Sequence, residues 1–361
     1  DMLNRRVLVL TVVLAVLPGA ISLGAEARGQ LEWQSLLDLP EPLGLGGPIV
    51  GVHHDALIVG GGANFPEPVW DNDKVWRDAA WVLTRNDEGH YQWLDGFQLD
   101  RPIAYAACAS TDQGVVCIGG NDGTSTFAEC FLLQWDGDAK QLNQMPLPAL
   151  TSPCAYGAAA VIGNVVYLTG GQPDSDLSSA TTGFWRLDMN SYEGTPNSVA
   201  WERLPGWPGP ARAFHIAVAQ HNGFDDCVYV ISGRASRSIE GIEQTTGEAV
   251  TDDWYALRDI YEFNPQRFDA TAFDSASGSY SGTGRFASPW RRRADVPQCV
   301  MAGPAGAIGQ SHIFVLGGDT GRLAPKTDEL KLDHPGFPLK NFAYHTITDT
   351  WIETGEPPVN Q

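Results

Sequence analysis

The apolar residues of this chain are concentrated in short runs, and five of these runs end in a doublet of small residues. Each run has the length and the β-branched content of a strand that is buried on both faces. A polar loop follows every doublet, and a second strand that carries aromatic residues comes next. The doublets are Gly61-Gly62, Gly119-Gly120, Gly170-Gly171, Ser232-Gly233 and Gly317-Gly318. This repetition predicts a chain built from similar β units.

Each unit ends in an outer strand that starts near Trp and ends at Pro, which an edge strand tolerates. These pairs are Trp33 and Pro40, Trp93 and Pro102, Trp201 and Pro208, Trp290 and Pro297, and Trp351 and Pro358, with Leu142 and Pro148 in the second unit. Four-stranded antiparallel units repeated in tandem are typical of the blades of a β-propeller. The predicted fold class is therefore all-β.

The chain has six outer strands but five doublet strands, because no inner strands precede the outer strand from Gln30 to Pro40. We predict a six-bladed propeller with five full blades plus this N-terminal outer strand, the last blade being C-terminally incomplete. A closed five-bladed ring with a spare strand is the alternative. The longest insert, 235–258, is charged and polar and could hold a short helix.

The N-terminus has the layout of a secretory signal peptide, which we assign to residues 1–29. A basic stretch, 2–6, precedes an apolar stretch, 7–17, and small residues follow at 20–27. A retained membrane anchor is the alternative, but the apolar stretch is short and ends at Pro18-Gly19. The propeller, 30–361, is thus expected in the periplasm or outside the cell.

The formal net charge of −20 argues against nucleic acids and anionic membranes as partners. Six cysteines fit an oxidising compartment without requiring one. Cys108 and Cys117 lie opposite each other in a predicted hairpin, where a disulfide or two buried thiols would fit equally. The spacing of the cysteines does not suggest zinc.

In a propeller, the loops after the second strand and those before the first strand share one face, where ligands bind. Arg101, Arg212 and Arg234 are the cationic residues nearest that face, and guanidinium groups suit bidentate binding of carboxylates. Asn64 and Asn121 add amide groups that could bind the same ligand. The alternatives are structural: each Arg pairs with a loop Asp, and Asn64 serves a turn.

The sequence His53-His54-Asp55 resembles a metal-binding cluster, but it falls in a hairpin on the opposite face of the predicted propeller. Neighbouring side chains of an extended strand also point to opposite sides. We therefore predict no metal site there, and no cofactor elsewhere.

The repeat resembles the kelch repeat, and several stretches narrow the resemblance to the N-acetylneuraminate epimerase (sialic acid mutarotase) family. The stretches are 51–66, with Gly-Gly-Ala-Asn-Phe-Pro at its end, 73–76, 207–212 and 334–338. Their order is similar to that of a cyclically permuted branch of the family. The resemblance implies a six-bladed periplasmic propeller that interconverts the anomers of a small acidic sugar. It also implies fusion or association with a sodium:solute symporter, since some permuted relatives are joined to one.

The functional motif of that family is Ser/Asn-Gly-Glu followed six residues later by Arg, in the last blade of the permuted branch. This chain ends at 356–361, where that blade is expected to begin. Ser232-Gly233-Arg234 lies in another blade and has Arg in the place of Glu. The resemblance therefore assigns no catalytic residue to this chain and leaves its activity open.

Mutarotation requires an acid and a base on the two sides of the sugar, and no cofactor. From their loop positions, Asp122, Asp319 and Tyr105 are the candidates for proton transfer. Two other functions fit the fold: a non-catalytic carbohydrate-binding propeller and a kelch protein-interaction module. A signal peptide disfavours the interaction module, because that use of the fold is mostly intracellular.

Overall fold

The computed structural model describes residues 31–237, 247–249 and 253–356, and it confirms an all-β propeller with five blades. Every blade is a four-stranded antiparallel sheet, and the first strands of successive blades lie side by side. The strands are Ile49–His53, Ala56–Gly60, Ala79–Arg85 and Tyr91–Gln98 in the first blade; Ala107–Thr111, Gly114–Ile118, Cys130–Asp136 and Gln141–Leu147 in the second; Ala158–Ile162, Val165–Thr169, Phe184–Asp188 and Trp201–Leu204 in the third; Ile216–His221, Asp226–Ile231, Ile260–Phe263 and Trp290–Arg293 in the fourth; and Ala305–Ile308, His312–Leu316, Asn341–His345 and Thr350–Gly355 in the fifth.

Elements outside the blades are short. The extra strands are Ala63–Asn64 with Val75–Trp76, Arg234–Ser236 with Trp254–Leu257 and Gly247–Ala249, and Phe273–Asp274 with Ser279–Tyr280. The helical segments are Leu177–Ser179, Met189–Ser191, Pro196–Ser198, Pro265–Arg267, Ala270–Ala272, Gly284–Phe286, Ala324–Lys326, Thr327–Leu330 and Lys331–Asp333. In the described part of the longest insert the structure has strands where a helix was considered, because β-forming Trp254 and Tyr255 extend the pairing begun after the fourth doublet.

The predicted signal peptide, 1–29, lies outside the described residues. Within the residues that are described, none of the helices has the length and apolar character needed to cross a membrane.

The doublets connect each blade to the next one. Both residues of every doublet have positive φ, which glycine adopts at little cost. This conformation directs the second amide towards a carbonyl that precedes the next blade. The resulting bonds are Gly62 N to Ile103 O at 2.7 Å, Gly120 N to Cys154 O at 2.8 Å and Gly171 N to Arg212 O at 3.0 Å. In the fourth blade the connection to the next blade is made by the Ser232 hydroxyl, which accepts a hydrogen bond from the Val300 amide at 2.7 Å.

Hydrophobic clusters join the first blade to the second, the second to the third, the third to the fourth and the fourth to the fifth. No cluster in the described part of the chain joins the fifth blade to the first. In the fourth blade, Ala217 and Ala219 pack against the preceding blade. The equivalent residues of the first blade, Val50 and Val52, are 46% and 50% exposed. One face of the first blade is therefore uncovered near the channel.

The predicted N-terminal outer strand, 30–40, does not form where the structure describes it. Residues 31–40 have no strand pairing, and Trp33, Leu36 and Leu37 are exposed. The Leu37 carbonyl instead accepts a hydrogen bond from Trp93 Nε1 at 3.3 Å, on the outer strand of the first blade. A strand forms through backbone hydrogen bonds to a neighbouring strand, whereas this contact is made by a side chain.

A buried histidine of the fourth blade contacts the third blade, and we expect this contact to make the stability of the protein sensitive to acid. His215 Nε2 lies 2.7 Å from Thr169 Oγ1, and Nδ1 is buried without a hydrogen-bond partner. Burial lowers the pKa of His215 to about 3, with a further contribution from the Arg212 charge. Below pH 6.5 the unfolded chain therefore binds a proton that the folded chain does not, so stability falls as the pH falls towards 3.

Because of His215, we expect the free energy of unfolding to decrease by about 2 kcal/mol when the pH is lowered from 7 to 5. Urea unfolding of wild type and His215→Gln at both pH values measures it. The variant should lose less stability on acidification than the wild type. An identical loss in both proteins would show that His215 is protonated in the folded state.

Candidate functional site

The loops before the first strand and after the second strand meet at one end of the channel, as predicted. Isolated bridges join them in every blade, between Gly46 and Ala63, Ala104 and Asn121, Ala155 and Gln172, Ala213 and Arg234, and Met301 and Asp319. The second members of these pairs occupy equivalent places after the doublets. Asn121, Arg234 and Asp319, three of the predicted residues, are thus arranged around one mouth.

Three aromatic side chains form an arc around this mouth. Tyr105, Tyr156 and Phe214 each follow the bridged residue of their blade, with φ of 60°, 59° and 58°. The ring centroids of Tyr105 and Tyr156 are 4.6 Å apart, and those of Tyr156 and Phe214 are 4.3 Å apart. We call these three residues the aromatic arc.

Backbone hydrogen bonds hold the arc in place. The Tyr105 amide donates to the Gly47 carbonyl, the Tyr156 amide to Tyr105, the Phe214 amide to Tyr156 and the Ala302 amide to Phe214. In the described residues, no bond continues this chain from Ala302 back to Gly47. The ring of bonds is open between the fifth and first blades, at the side where Val50 and Val52 are exposed.

A cationic side chain lies at each end of the arc. Lys74 Nζ donates to the Tyr105 hydroxyl at 2.7 Å, and Arg234 Cζ lies 3.8 Å from the centroid of the Phe214 ring. The Arg234 Nε atom is buried without a hydrogen-bond partner. Burial lowers the pKa of Arg234, and interactions with the Tyr156 phenol and the Asp319 carboxylate oppose that shift. Two positive charges are thus held near neutral rings in a chain that is strongly acidic overall.

The two tyrosine hydroxyls of the arc can each donate a hydrogen bond to a ligand. The Tyr105 oxygen already accepts from Lys74, and the Asn121 amide lies close enough to the Tyr156 hydroxyl to affect its pKa. Asn121 is oriented by Trp76, whose Nε1 donates to Asn121 Oδ1 at 2.8 Å. A phenol oxygen that already accepts keeps its own proton for another partner. Burial raises the pKa of Tyr156, which keeps that proton in place.

Arg234 also lines a groove of about 760 Å³, a size that suits a small ligand. Its lining includes the ring of Trp254 and the side chains of Ser178 and Asp253. The arrangement can therefore receive an anionic group at the arc and a polar ring with an apolar face beside it.

Two of the three predicted arginines bind other parts of the protein. Arg212 is fully buried, with Nη1 and Nη2 at 2.7 and 2.8 Å from the two oxygens of Asp259. Arg101 lies 3.5 Å from Glu129 and over the Phe127 ring. Both arrangements correspond to the structural alternative, in which the arginine fixes its loop.

Asn64 also has a structural role at its position. It is 6% exposed; its amide donates to the Gly44 carbonyl, and its oxygen accepts from Arg77 Nε and Nη2 at 3.0 and 2.9 Å. Its hydrogen-bonding groups are therefore engaged within the first blade.

The two candidate carboxylates serve turns. Asp122 Oδ1 accepts from the Thr124 and Ser125 amides, and these bonds, that of Ser125 first, hold the pKa of Asp122 below its usual value. Asp319 Oδ1 accepts from the Gly321 amide at 2.7 Å. Asp122 is thus a weak proton acceptor, whereas Asp319 stands near Arg234.

His53 and His54 do not point to opposite sides, contrary to the expectation. His54 has φ of 48°, so the chain turns there and the two rings stack with centroids 3.7 Å apart. Both Nδ1 atoms lie within hydrogen-bond distance of the Trp135 backbone. Over 31–237, 247–249 and 253–356, no group of three His, Cys, Asp or Glu residues is arranged to hold a metal ion.

Cys108 and Cys117 are direct partners in the hairpin register, and both are free thiols. Burial raises the pKa of each, so both are protonated. Of the two alternatives, the structure has the pair of free thiols.

The sequence interpretation missed Lys74, Tyr156 and Phe214. The repeat contained a signal for two of them, because Ala104-Tyr105, Ala155-Tyr156 and Ala213-Phe214 occupy equivalent places before the first strand. The repeat gave no signal for Lys74, which lies in a loop of the first blade alone, although the stretch 73–76 that carries the family resemblance contains it.

No protein-family model matches the chain. Curated relatives named N-acetylneuraminate epimerase match about a third of it. The protein of Yersinia enterocolitica is 31% identical over 144 residues, which are 34% of this chain and 35% of the relative. That of Brucella suis is 33% identical over 129 residues, 31% of this chain and 32% of the relative. The matched part thus spans about a third of the length of these relatives. They support only a distant relationship of this chain to the N-acetylneuraminate epimerases.

The fold is similar to that of a solved structure, YjhT. The match has a TM-score of 0.57 and 14% sequence identity, and it covers 80% of this chain and 81% of the other. At this identity the likeness concerns the architecture alone.

Proposed function

We propose that this chain binds an acidic sugar at the aromatic arc and interconverts its anomers, with N-acetylneuraminate as the first sugar to test. The observation that carries the proposal is the arc itself, in which Lys74 and Arg234 flank two hydroxyl donors, Tyr105 and Tyr156. A carboxylate accepts hydrogen bonds from such donors and is stabilised by nearby cations. The name of the distant relatives supports the choice of sugar.

The groove beside Arg234 supports a sugar over a simple anion. Pyranose rings have an apolar face that packs on aromatic rings, and Trp254 lines the groove. Hydroxyl and carboxylate groups of Ser178 and Asp253 line the same groove and suit the hydroxyls of a sugar.

We also propose that the complete ring has six blades of the kelch type. The uncovered face with Val50 and Val52, and the open chain of bonds between Ala302 and Gly47, support a sixth blade between the fifth and the first. A blade there would cover both valines and continue the bonds around the axis.

Arg234→Ala should weaken binding of N-acetylneuraminate at least about tenfold, because a charged hydrogen-bonding partner is lost. Titration calorimetry on the full chain measures the dissociation constant. Arg101→Ala is the matched control, since Arg101 pairs with Glu129 outside the arc. Equal affinities of the two variants would contradict the proposed position of the carboxylate. A neutral N-acetylated hexose should bind more weakly than the acid.

Anomer exchange followed by proton NMR tests the activity. Exchange by the full chain above the uncatalysed rate supports mutarotation. Binding without faster exchange would instead support the non-catalytic carbohydrate-binding alternative.

A further inference from the structure

We infer that Tyr105 is the general acid for ring opening and that Lys74 is the positioning residue that makes this possible. The inference rests on the proposed function and assigns roles to two residues of this chain. Its basis is the 2.7 Å hydrogen bond from Lys74 Nζ to the Tyr105 hydroxyl at the edge of the mouth.

The chain holds this pair from several sides. Lys74 Nζ lies 5.5, 5.7 and 5.1 Å from the ring centroids of Phe65, Trp76 and Tyr105, so three aromatic rings surround the ammonium group. Tyr105 packs against Gly47, where an added Cβ would come within 2.3 Å of its ring. The phenol is therefore fixed, and its ammonium partner has little freedom to leave.

The direction of the bond decides the chemistry. An ammonium group has donors only, so the Tyr105 oxygen accepts and its own proton is available to the ligand. When the phenol gives up that proton, the phenolate forms 2.7 Å from a positive charge. Lys74 thus stabilises the product of proton donation, which is what a general acid requires.

Ring opening begins with proton transfer from Tyr105. The Tyr105 hydroxyl donates its proton to the ring oxygen while the bond between the anomeric carbon and that oxygen breaks, and the electron pair stays on the oxygen. The anomeric hydroxyl loses its proton to a water molecule at the open mouth and becomes a carbonyl. Closure on the other face of the carbonyl reverses these transfers: the phenolate takes the proton from the chain hydroxyl, and the carbonyl oxygen regains one from water.

The other candidates are less suited to this role. Both Asp122 and Asp319 use a carboxylate oxygen to accept from turn amides. The group beside the Tyr156 hydroxyl is the neutral Asn121 amide, which stabilises a phenolate less effectively than the ammonium group that bonds to Tyr105 does.

Tyr105→Phe tests the inference, because it keeps the ring and removes only the hydroxyl. We expect kcat for anomer exchange to fall about a hundredfold or more, the usual contribution of general acid catalysis. The dissociation constant of N-acetylneuraminate should change much less, and the solvent deuterium isotope effect on kcat should decrease. Tyr91→Phe is the matched control: this outer-strand hydroxyl also accepts from a cation, Arg85, at 2.9 Å. Its kcat should equal that of the wild type.

Lys74→Met and Lys74→Arg separate charge from packing. The methionine variant should lose at least about tenfold in kcat, as expected for a lost charged hydrogen bond, and the arginine variant should recover part of it. If wild-type protein exchanges anomers and Tyr105→Phe matches it in kcat, the inference is wrong while the proposed function stands. If wild-type protein shows no exchange, the proposed function fails first.

Discussion

Arg212→Ala is expected to lower the free energy of unfolding by about 3–5 kcal/mol, because it leaves the Asp259 carboxylate buried without its partner. Both side chains are fully inaccessible to solvent, and the guanidinium also donates to the Ser232 and Pro210 carbonyls. Chemical denaturation followed by tryptophan fluorescence measures the change. The effect concerns the joint between the third and fourth blades, so it should appear as reduced stability without a specific change in sugar affinity.

Arg186→Ala is the matched control for this prediction. Arg186 pairs with Glu202 at 2.6 Å, but both side chains are partly exposed, 34% and 59%. A pair of this kind contributes about 0–1 kcal/mol. The double variant Arg212→Met, Asp259→Leu should be less harmful than Arg212→Ala, since it leaves no buried charge. Equal costs for Arg212→Ala and Arg186→Ala would contradict the assigned structural role.

Gly119→Ala should be the second strongly destabilising change. Gly119 has φ of 63°, and a Cβ added there would come within 2.0 Å of the Cys154 carbonyl oxygen. The left-handed conformation costs about 1–2 kcal/mol, and overpacking adds about 1–3 kcal/mol. The contact lies where the second blade bonds to the third, so the backbone cannot move away without breaking the bond from Gly120.

Gly163→Ala isolates the conformational part of this cost. Gly163 has φ of 60°, yet an added Cβ would meet no atom within 4 Å. It should therefore lose only the share due to the left-handed backbone, about 1–2 kcal/mol. Thermal and urea unfolding of the two variants give the difference. Similar losses would show that the doublets are required for their φ angles alone, and that the close approach between blades costs little.

The repeat of apolar runs and doublets was sufficient to predict the blades, because strand length and doublet recur at every unit and the outer-strand Trp at all but the second, which has Leu142. It was not sufficient for the segment 31–40, whose Trp33 and Pro40 match the outer-strand pattern. A strand also depends on the strand that pairs with it, and the pattern of a single segment carries no information about that partner. The same limit applies to the insert after Arg234, where strand pairing prevailed over a polar composition.

The positions of the loops in the sequence were sufficient to locate the mouth. They did not distinguish side chains that face the mouth from side chains that hold the loops in place. Arg212 and Arg234 both lie in loops predicted to face the mouth. Arg212 nevertheless pairs with Asp259, 47 residues further along the chain, whereas Arg234 lies over the ring of Phe214. The partner of a guanidinium group is a matter of three-dimensional packing. Lys74 shows the same limit, because its role depends on the Tyr105 hydroxyl, which the next loop of the chain supplies.

A crystal structure of the full chain with N-acetylneuraminate tests the central claim most directly. We expect the carboxylate within hydrogen-bond distance of the Tyr156 hydroxyl and the Arg234 guanidinium, with the ring oxygen facing Tyr105. Sugar bound instead in the cavity of about 550 Å³ beside Gln172 and Trp185, or in the depression at His53 and His54, would contradict it.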